Sequence, residues 1–164
     1  MAIDKSLATD YTDFHKFLVR FSDRKSIATK TKICEFGSME KEFPWKSESY
    51  ELIGLCMEVH RILGHGFLEI VYKDAIELEL LRKELEFSRE QQYPVEYKGV
   101  LLSHRFYADF VVQGAIILEV KAAEGGIADH QIAQTLNYLR VSGCKVGLLV
   151  NFGRKSLEYK RLVF

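Results

Sequence analysis

The chain has no net charge to offer a partner: its 23 Lys and Arg are matched by 23 Asp and Glu. It therefore lacks the global basic bias of many nucleic-acid binders, which argues against nonspecific coating of DNA. A local basic face remains compatible with that balance. No apolar run approaches the roughly 18 residues that a membrane span requires. The opening residues, MAIDKSLATDYTDF, lack the basic-then-apolar layout of a secretory leader. Cysteine is scarce, odd in number and scattered: Cys34, Cys56 and Cys144 form no CxxC pair. Such usage argues against structural zinc or a disulfide framework and for a reducing compartment. A cytoplasmic location is expected. Repeats, low-complexity tracts and an interdomain linker are also missing.

What is present suits one globular domain. Hydrophobic residues make up 48% of the 164 positions and charged residues 28%, enough for a proper core. Residues 1–46 read differently from the rest, mixing Ser, Thr, Lys and Asp with scattered aromatics and holding no sustained period. They are expected to form a poorly ordered or loosely packed extension, with a short helix around Tyr11–Phe21, before a domain over 47–164. Two readings of the extension stand: Met39 as the biological start, or an arm that docks a partner.

Periodicity places the elements of the domain. Leu52, Cys56, Val59 and Leu63 recur at helical spacing, predicting a helix over Ser49–Leu63 capped by Ser47 or Ser49. Cys56 falls on its apolar stripe as a core thiol. Gly64-His65-Gly66 breaks the helix. A second helix is expected over Phe67–Leu85, with Leu68, Val71, Tyr72, Ala75, Leu78 and Leu81 as its apolar side. Strands follow at Glu90–Tyr97, where Pro94 favours a sheet edge, and from Val100 to about Phe110 after a Lys98-Gly99 turn. Ile116–Lys121 is the next strand. Asp129 should cap a helix over His130–Val141 that Gly143 ends, and Lys145–Phe152 reads as a buried strand. Leu157–Phe164 adds an edge strand.

Within that order, the run Ala108–Ala122 (ADFVVQGAIILEVKA) sets three charged groups in a nearly continuous apolar stretch, the signature of a strand covered on both faces. Glu119 and Lys121 are two apart and share a face of their strand. Burying a carboxylate costs several kcal/mol unless a partner or a metal neutralises it. Asp109, Glu119 and Lys121 together therefore point to a divalent-metal site.

The pattern Asp-(x)9-Glu-x-Lys resembles the PD-(D/E)XK nuclease superfamily. The upstream run Gly64–Tyr72 resembles the motif of its GxxExxY branch, with Gly66, Glu69 and Tyr72 at the fixed positions. An ExK triplet alone is weak. The ordered set of GxxExxY, Asp, ExK, a Gln-containing helix and LLVNFG is more specific, and the likeness runs from about Ser49 to Phe164. It implies a restriction-endonuclease-like α/β sandwich, with a central mixed sheet and the order α-α-β-β-β-α-β(-β).

By the same resemblance, Asp109 and Glu119 would supply carboxylates to Mg²⁺ or Mn²⁺, and the Val120 carbonyl a third oxygen. Glu69 would hold a second metal or its water. Lys121 would orient or deprotonate the attacking water, or stabilise the pentacovalent phosphorus. Gln134, four residues before Tyr138, resembles the Gln-xxx-Tyr signature of some branches and is assigned to the site. His130 and Tyr72 join as substrate contacts, while Arg105, Lys98, Arg154 and Lys155 are phosphate candidates and Tyr93, Tyr97 and Tyr107 could stack on bases. Each has a plainer reading: Glu69 as a first-turn acid, Tyr138 and the strand tyrosines as packing, His130 as a polar helix start, strand-end cations as solvated. His60, His65 and His104 show no ligand spacing and read as surface or packing residues. The function implied is a nuclease, DNA being favoured over RNA, acting alone, as a homo-oligomer or in a larger complex. A non-catalytic binding module on the same fold is the alternative.

Geometry sharpens the metal reading. A strict two-residue Gln113-Gly114 loop would set Asp109 opposite Leu118 and turn Glu119 to the other face. Metal binding needs an odd loop, most simply the three-residue Gln113-Gly114-Ala115, which sets Asp109 opposite Glu119, or a bulge in either strand. The second register is the expectation.

Overall fold

The computed structural model describes residues 44–164. The expected extension, its short helix and Met39 lie outside the described residues, but for residues 44–46. The elements run α1 (Lys46–Leu63), α2 (Glu69–Arg82), β1 (Phe87–Tyr97), β2 (Val100–Val112), β3 (Ile116–Lys121), α3 (Asp129–Ser142), β4 (Val146–Asn151) and β5 (Glu158–Val163). That is the order expected from the sequence. Among the described residues no helix is long and apolar enough to cross a membrane.

The five strands form one sheet in sequence order, β1-β2-β3-β4-β5. Among these five described strands only β3 and β4 pair in parallel, and the chain between them is long enough for α3 because parallel neighbours need a crossover. The other pairs are antiparallel. Pro94 lies on the edge strand β1, beside a break in register between Pro94 and Glu96. The β1–β2 hairpin turns through Lys98 (φ 51°) and Gly99 (φ 80°), the paired positive angles of a primed turn that match strand twist.

Side-chain alternation gives the sheet two buried faces. Phe110, Val112, Leu118, Val120, Leu148 and Val150 pack with α1 and α2. Val111 and Ile117 pack on the other side with Tyr138 and Leu139 of α3. The stripe of α1 is the predicted one, with Leu52, Cys56 and Val59 buried. That of α2 is narrower than predicted: Tyr72, Ile76 and Leu80 are buried at four-residue steps, while Leu68 and Leu78 are exposed. Each such buried side chain contributes about 1.5–3 kcal/mol. Cys56 and Cys144 are buried free thiols.

Helix starts depart from expectation. Neither Ser47 nor Ser49 caps α1; Trp45 occupies that position, and the Ser49 hydroxyl instead donates back to the Trp45 carbonyl at 2.5 Å. Asp129 is the first residue of α3, not its cap. Ala128 holds the cap position, and its N–H donates to Gln131 Oε1 at 2.9 Å. A glutamine three residues into the helix thus satisfies a terminal amide that no serine or aspartate reaches.

Candidate active site

The β2–β3 connection leaves Gln113, Gly114 and Ala115 outside the ladder, since Val112 pairs with Ile116, Val111 with Ile117 and Phe110 with Leu118. This is the three-residue loop, and Asp109 and Glu119 are the next residues beyond the last pair. There the two strands fork. The amides that would have continued the ladder find carboxylates instead: Asp109 N–H donates to Glu119 Oε1 at 3.2 Å, and Val120 N–H to Asp109 Oδ2 at 2.9 Å. Fixed amide donors stabilise ionised carboxylates strongly, so the fork itself holds both acids in place.

Glu119 and Lys121 share the sheet face that carries Ile117 and α3. Asp109 belongs to that face by alternation, yet its carboxylate stands in the gap of the fork and is reached from the α2 side as well. Lys73 of α2 enters there, its Nζ 2.6 Å from Asp109 Oδ1 and 2.9 Å from Glu69 Oε1. Lys121 Nζ lies farther from its partners, 3.4 Å from Glu119 Oε2 and 3.9 Å from Asp109 Oδ2. Three carboxylates therefore share two ammonium groups. Lys73 was not among the predicted residues. The available signal was its position four residues after Glu69, which puts the two on one helix face.

Charge crowding shows in the titration of the buried acid. Burial first, and the neighbouring Asp109 charge second, raise the Glu119 carboxyl from 4.5 to about 7, against the pull of Lys121 and the Asp109 amide. Burial alone would lower the Lys73 ammonium, but its bonds to Asp109 and Glu69 carry it above the ordinary lysine value. The Tyr138 hydroxyl is raised by burial and by the Glu119 charge, while the Gln134 bond works the other way.

The end of β3 is tied to β4 by groups from the LLVNFG segment. Lys121 pairs with Asn151, and the Phe152 N–H donates to the Lys121 carbonyl at 2.7 Å. The Asn151 side chain accepts from Ala123 N–H and donates to the Ala123 carbonyl, both at 2.8 Å. At Gly153 a Cβ would stand 2.4 Å from the Ala123 carbonyl carbon. Only glycine lets the two chains approach so closely, which accounts for the residue that ends the segment.

The remaining predicted residues divide. Gln134 Nε2 donates to Tyr138 OH at 2.8 Å, so the two are neighbours as their spacing requires, and Tyr138 is largely core. Tyr72 is not the substrate contact expected from the sequence: it is fully buried, stacked on Phe152 at 4.4 Å between ring centroids. Its hydroxyl donates to the Gly64 carbonyl at 3.0 Å and accepts from Phe67 N–H at 3.2 Å, closing the turn that launches Glu69. His130 is exposed at the start of α3 and is not among the residues lining the pocket beside Lys121. Arg105 is exposed on β2 opposite Pro94, four residues from Asp109 or roughly 13 Å along a strand. The Val120 side chain is buried on the α1–α2 face, leaving its backbone to the fork.

A pocket of about 260 Å³ opens over this end of the sheet, lined by Phe67, Leu68, Glu69, Lys121, Ala122, Ala123 and Gln131. A larger cleft of about 360 Å³ between α1 and β5 includes Ser49, Tyr50 and Arg161 and is lined by no acid. Among the described residues no three acids, histidines or cysteines are arranged to hold a metal as they stand. Two buried hard-oxygen carboxylates forced together do suit a cation such as Mg²⁺, which takes one or two carboxylates and keeps several waters.

Residues 46–162 match the profile of the PD-(D/E)XK nuclease superfamily. The chain belongs to that superfamily, and its mixed five-stranded sheet with helices is the restriction-endonuclease-like α/β fold. Members generally depend on divalent metal, and a nuclease implies a nucleic-acid substrate. Among solved structures, the crystal structure of SSO0001 is similar at 16% identity with a TM-score of 0.47, over 97% of this chain and 79% of that one. No curated protein matches the chain.

Proposed function

We propose that the protein is a divalent-metal-dependent nuclease of the GxxExxY branch, hydrolysing phosphodiester bonds with Asp109, Glu119, Lys121 and Glu69. The observation that carries this reading is the fork, where Asp109 and Glu119 meet in a buried setting with Lys121 beside them. The carboxylates of Asp109 and Glu119, with the Val120 carbonyl, would hold Mg²⁺ or Mn²⁺, and Glu69 would reach in from α2. A bound divalent ion would polarise the scissile phosphate and offset the charge developing on it. Lys121 orients the attacking water and stabilises the crowded phosphorus. Water adds to phosphorus as the opposite P–O bond breaks, leaving one end with a terminal phosphate and the other with a hydroxyl. Gln134 steadies this end of α3 beside the substrate. DNA is the expected substrate, and the buried free thiols Cys56 and Cys144 suit a cytoplasmic setting.

The test is incubation with Mg²⁺ or Mn²⁺ and labelled single-stranded, duplex and branched DNA and RNA. Glu119→Ala and Lys121→Ala proteins purified in parallel serve as controls. Cleavage by the unaltered chain alone is expected. A second reading, a non-catalytic binding module, is favoured by the lysines that occupy the carboxylates, Lys73 on Asp109 and Glu69 and Lys121 on Glu119. It predicts binding without cleavage under every metal condition. Self-association would enlarge the small surface available to grip substrate.

A further inference from the structure

We propose that Lys73 is a resident counter-cation, and that a divalent ion loads by displacing its ammonium from Asp109 and Glu69. The proposal rests on the metal-dependent reading above. Asp109 Oδ2 and Glu119 Oε1 each accept from a backbone amide, at 2.9 and 3.2 Å. Glu119 Oε2 faces Lys121 at 3.4 Å, and Asp109 Oδ1 faces Lys73 at 2.6 Å. A divalent ion such as Mg²⁺, bound at about 2.0–2.1 Å from an oxygen, cannot share that oxygen's space with an ammonium on the same side.

The two amides are fixed by the strands, so the partner that yields is a lysine. Lys121 is tied through its own backbone to Phe152, and its ammonium already stands back at 3.4 and 3.9 Å. Lys73 is the tightly seated one, and it bridges two acids from different elements. Swinging its flexible stem away frees Asp109 Oδ1 and Glu69 Oε1 at once. Those two carboxylates and Glu119 are the set that the metal reading needs. Displacement thus accounts for acids of the right type being gathered here with the Lys73 ammonium seated between two of them. Lys73 is a positioning residue: it holds the acids together in the metal-free protein and weakens metal affinity by competing for them.

Isothermal titration of the full chain with MnCl₂ tests this, comparing Lys73→Met and Lys73→Gln with the unaltered protein. Removing a competing positive charge a few ångströms away should tighten Mn²⁺ binding roughly tenfold or more. The metal-free melting temperature of both variants should fall. A second measurement needs no variant: mass spectrometry after amine labelling, in which Lys73 should become more reactive when Mn²⁺ saturates the site. Equal or weaker Mn²⁺ binding by a folded Lys73 variant would overturn the proposal and leave the nuclease reading standing. So would Lys73 labelling that Mn²⁺ does not change. Failure of every protein to bind Mn²⁺ would overturn both.

Discussion

The backbone N–H of Asp109 donates to the side chain of Glu119 at 3.2 Å, so the acid of one strand satisfies an amide of the other at the point where they part. With Asp109 returning the same service to Val120, the two carboxylates are structural parts of the fork as well as candidate ligands. Substituting either should therefore act on folding and chemistry together. Asp109→Ala should cost about 1–3 kcal/mol by leaving buried donors unmatched, measured by urea denaturation with metal chelated.

Stability without metal should depend on pH through Glu119. Its folded-state carboxyl is raised from 4.5 to about 7. Below the lower value it is protonated in both states, and above the upper it is ionised in both. Between them the native chain keeps a proton that the unfolded chain has lost, so stability falls as pH rises across that window. The total loss should be on the order of a few kcal/mol. Denaturation midpoints at pH 5 and pH 8 measure it, and Glu119→Gln should flatten the dependence.

Lys121→Met should separate chemistry from metal binding. Loss of a positioned proton-transfer group costs about 10²–10⁴-fold in rate, so cleavage should fall by that factor. Mn²⁺ binding, read by titration, should persist, because the carboxylates remain.

Gly153→Ala should destabilise the chain by roughly 1–3 kcal/mol, the ordinary cost of overpacking, since its Cβ would meet the Ala123 backbone. The melting temperature is the readout. A shift of less than one degree would mean that the Lys121–Ala123 segment yields more easily than its three hydrogen bonds to Asn151 and Phe152 imply.

Tyr72→Phe should lower stability by about 1 kcal/mol through loss of the bonds to Gly64 and Phe67. The KM for substrate should stay unchanged because the ring is sealed inside the core. A raised KM with stability intact would restore Tyr72 to the substrate surface.

How far the sequence was legible follows from what kind of pattern each residue belongs to. The strands around Asp109 and Glu119 announce themselves through a near-continuous apolar run, but their register does not: two loop lengths fit the sequence, and the three-residue one is favoured only because a shared metal requires both carboxylates on one face. Glu69 and Gln134 come from the family resemblance, since helical spacing alone leaves Glu69 an ordinary first-turn acid and Gln134 an ordinary helix residue. Lys73 was not singled out because it stands among charged neighbours on α2, and only the third dimension shows that the gap in the sheet admits it. Tyr72 was misread because a motif tyrosine beside an acid looks the same in sequence whether its hydroxyl meets substrate or a nearby carbonyl. The cap of α3 escaped because its accepting group comes from Gln131, inside the helix.

The clamp at Asn151 and Gly153 divides the site mechanically. Glu119 and Lys121 ride on a parallel strand pair whose last residues are stitched together, a rail that can hardly shift without breaking several bonds at once. Glu69 and Lys73 ride on a helix that begins after the Gly64–Leu68 turn, a loop whose ends the Tyr72 phenol ties together. Whatever adaptation the centre makes to differently shaped phosphate backbones must fall on that second half, so tolerance for new substrates should be evolved in the turn and not in the sheet.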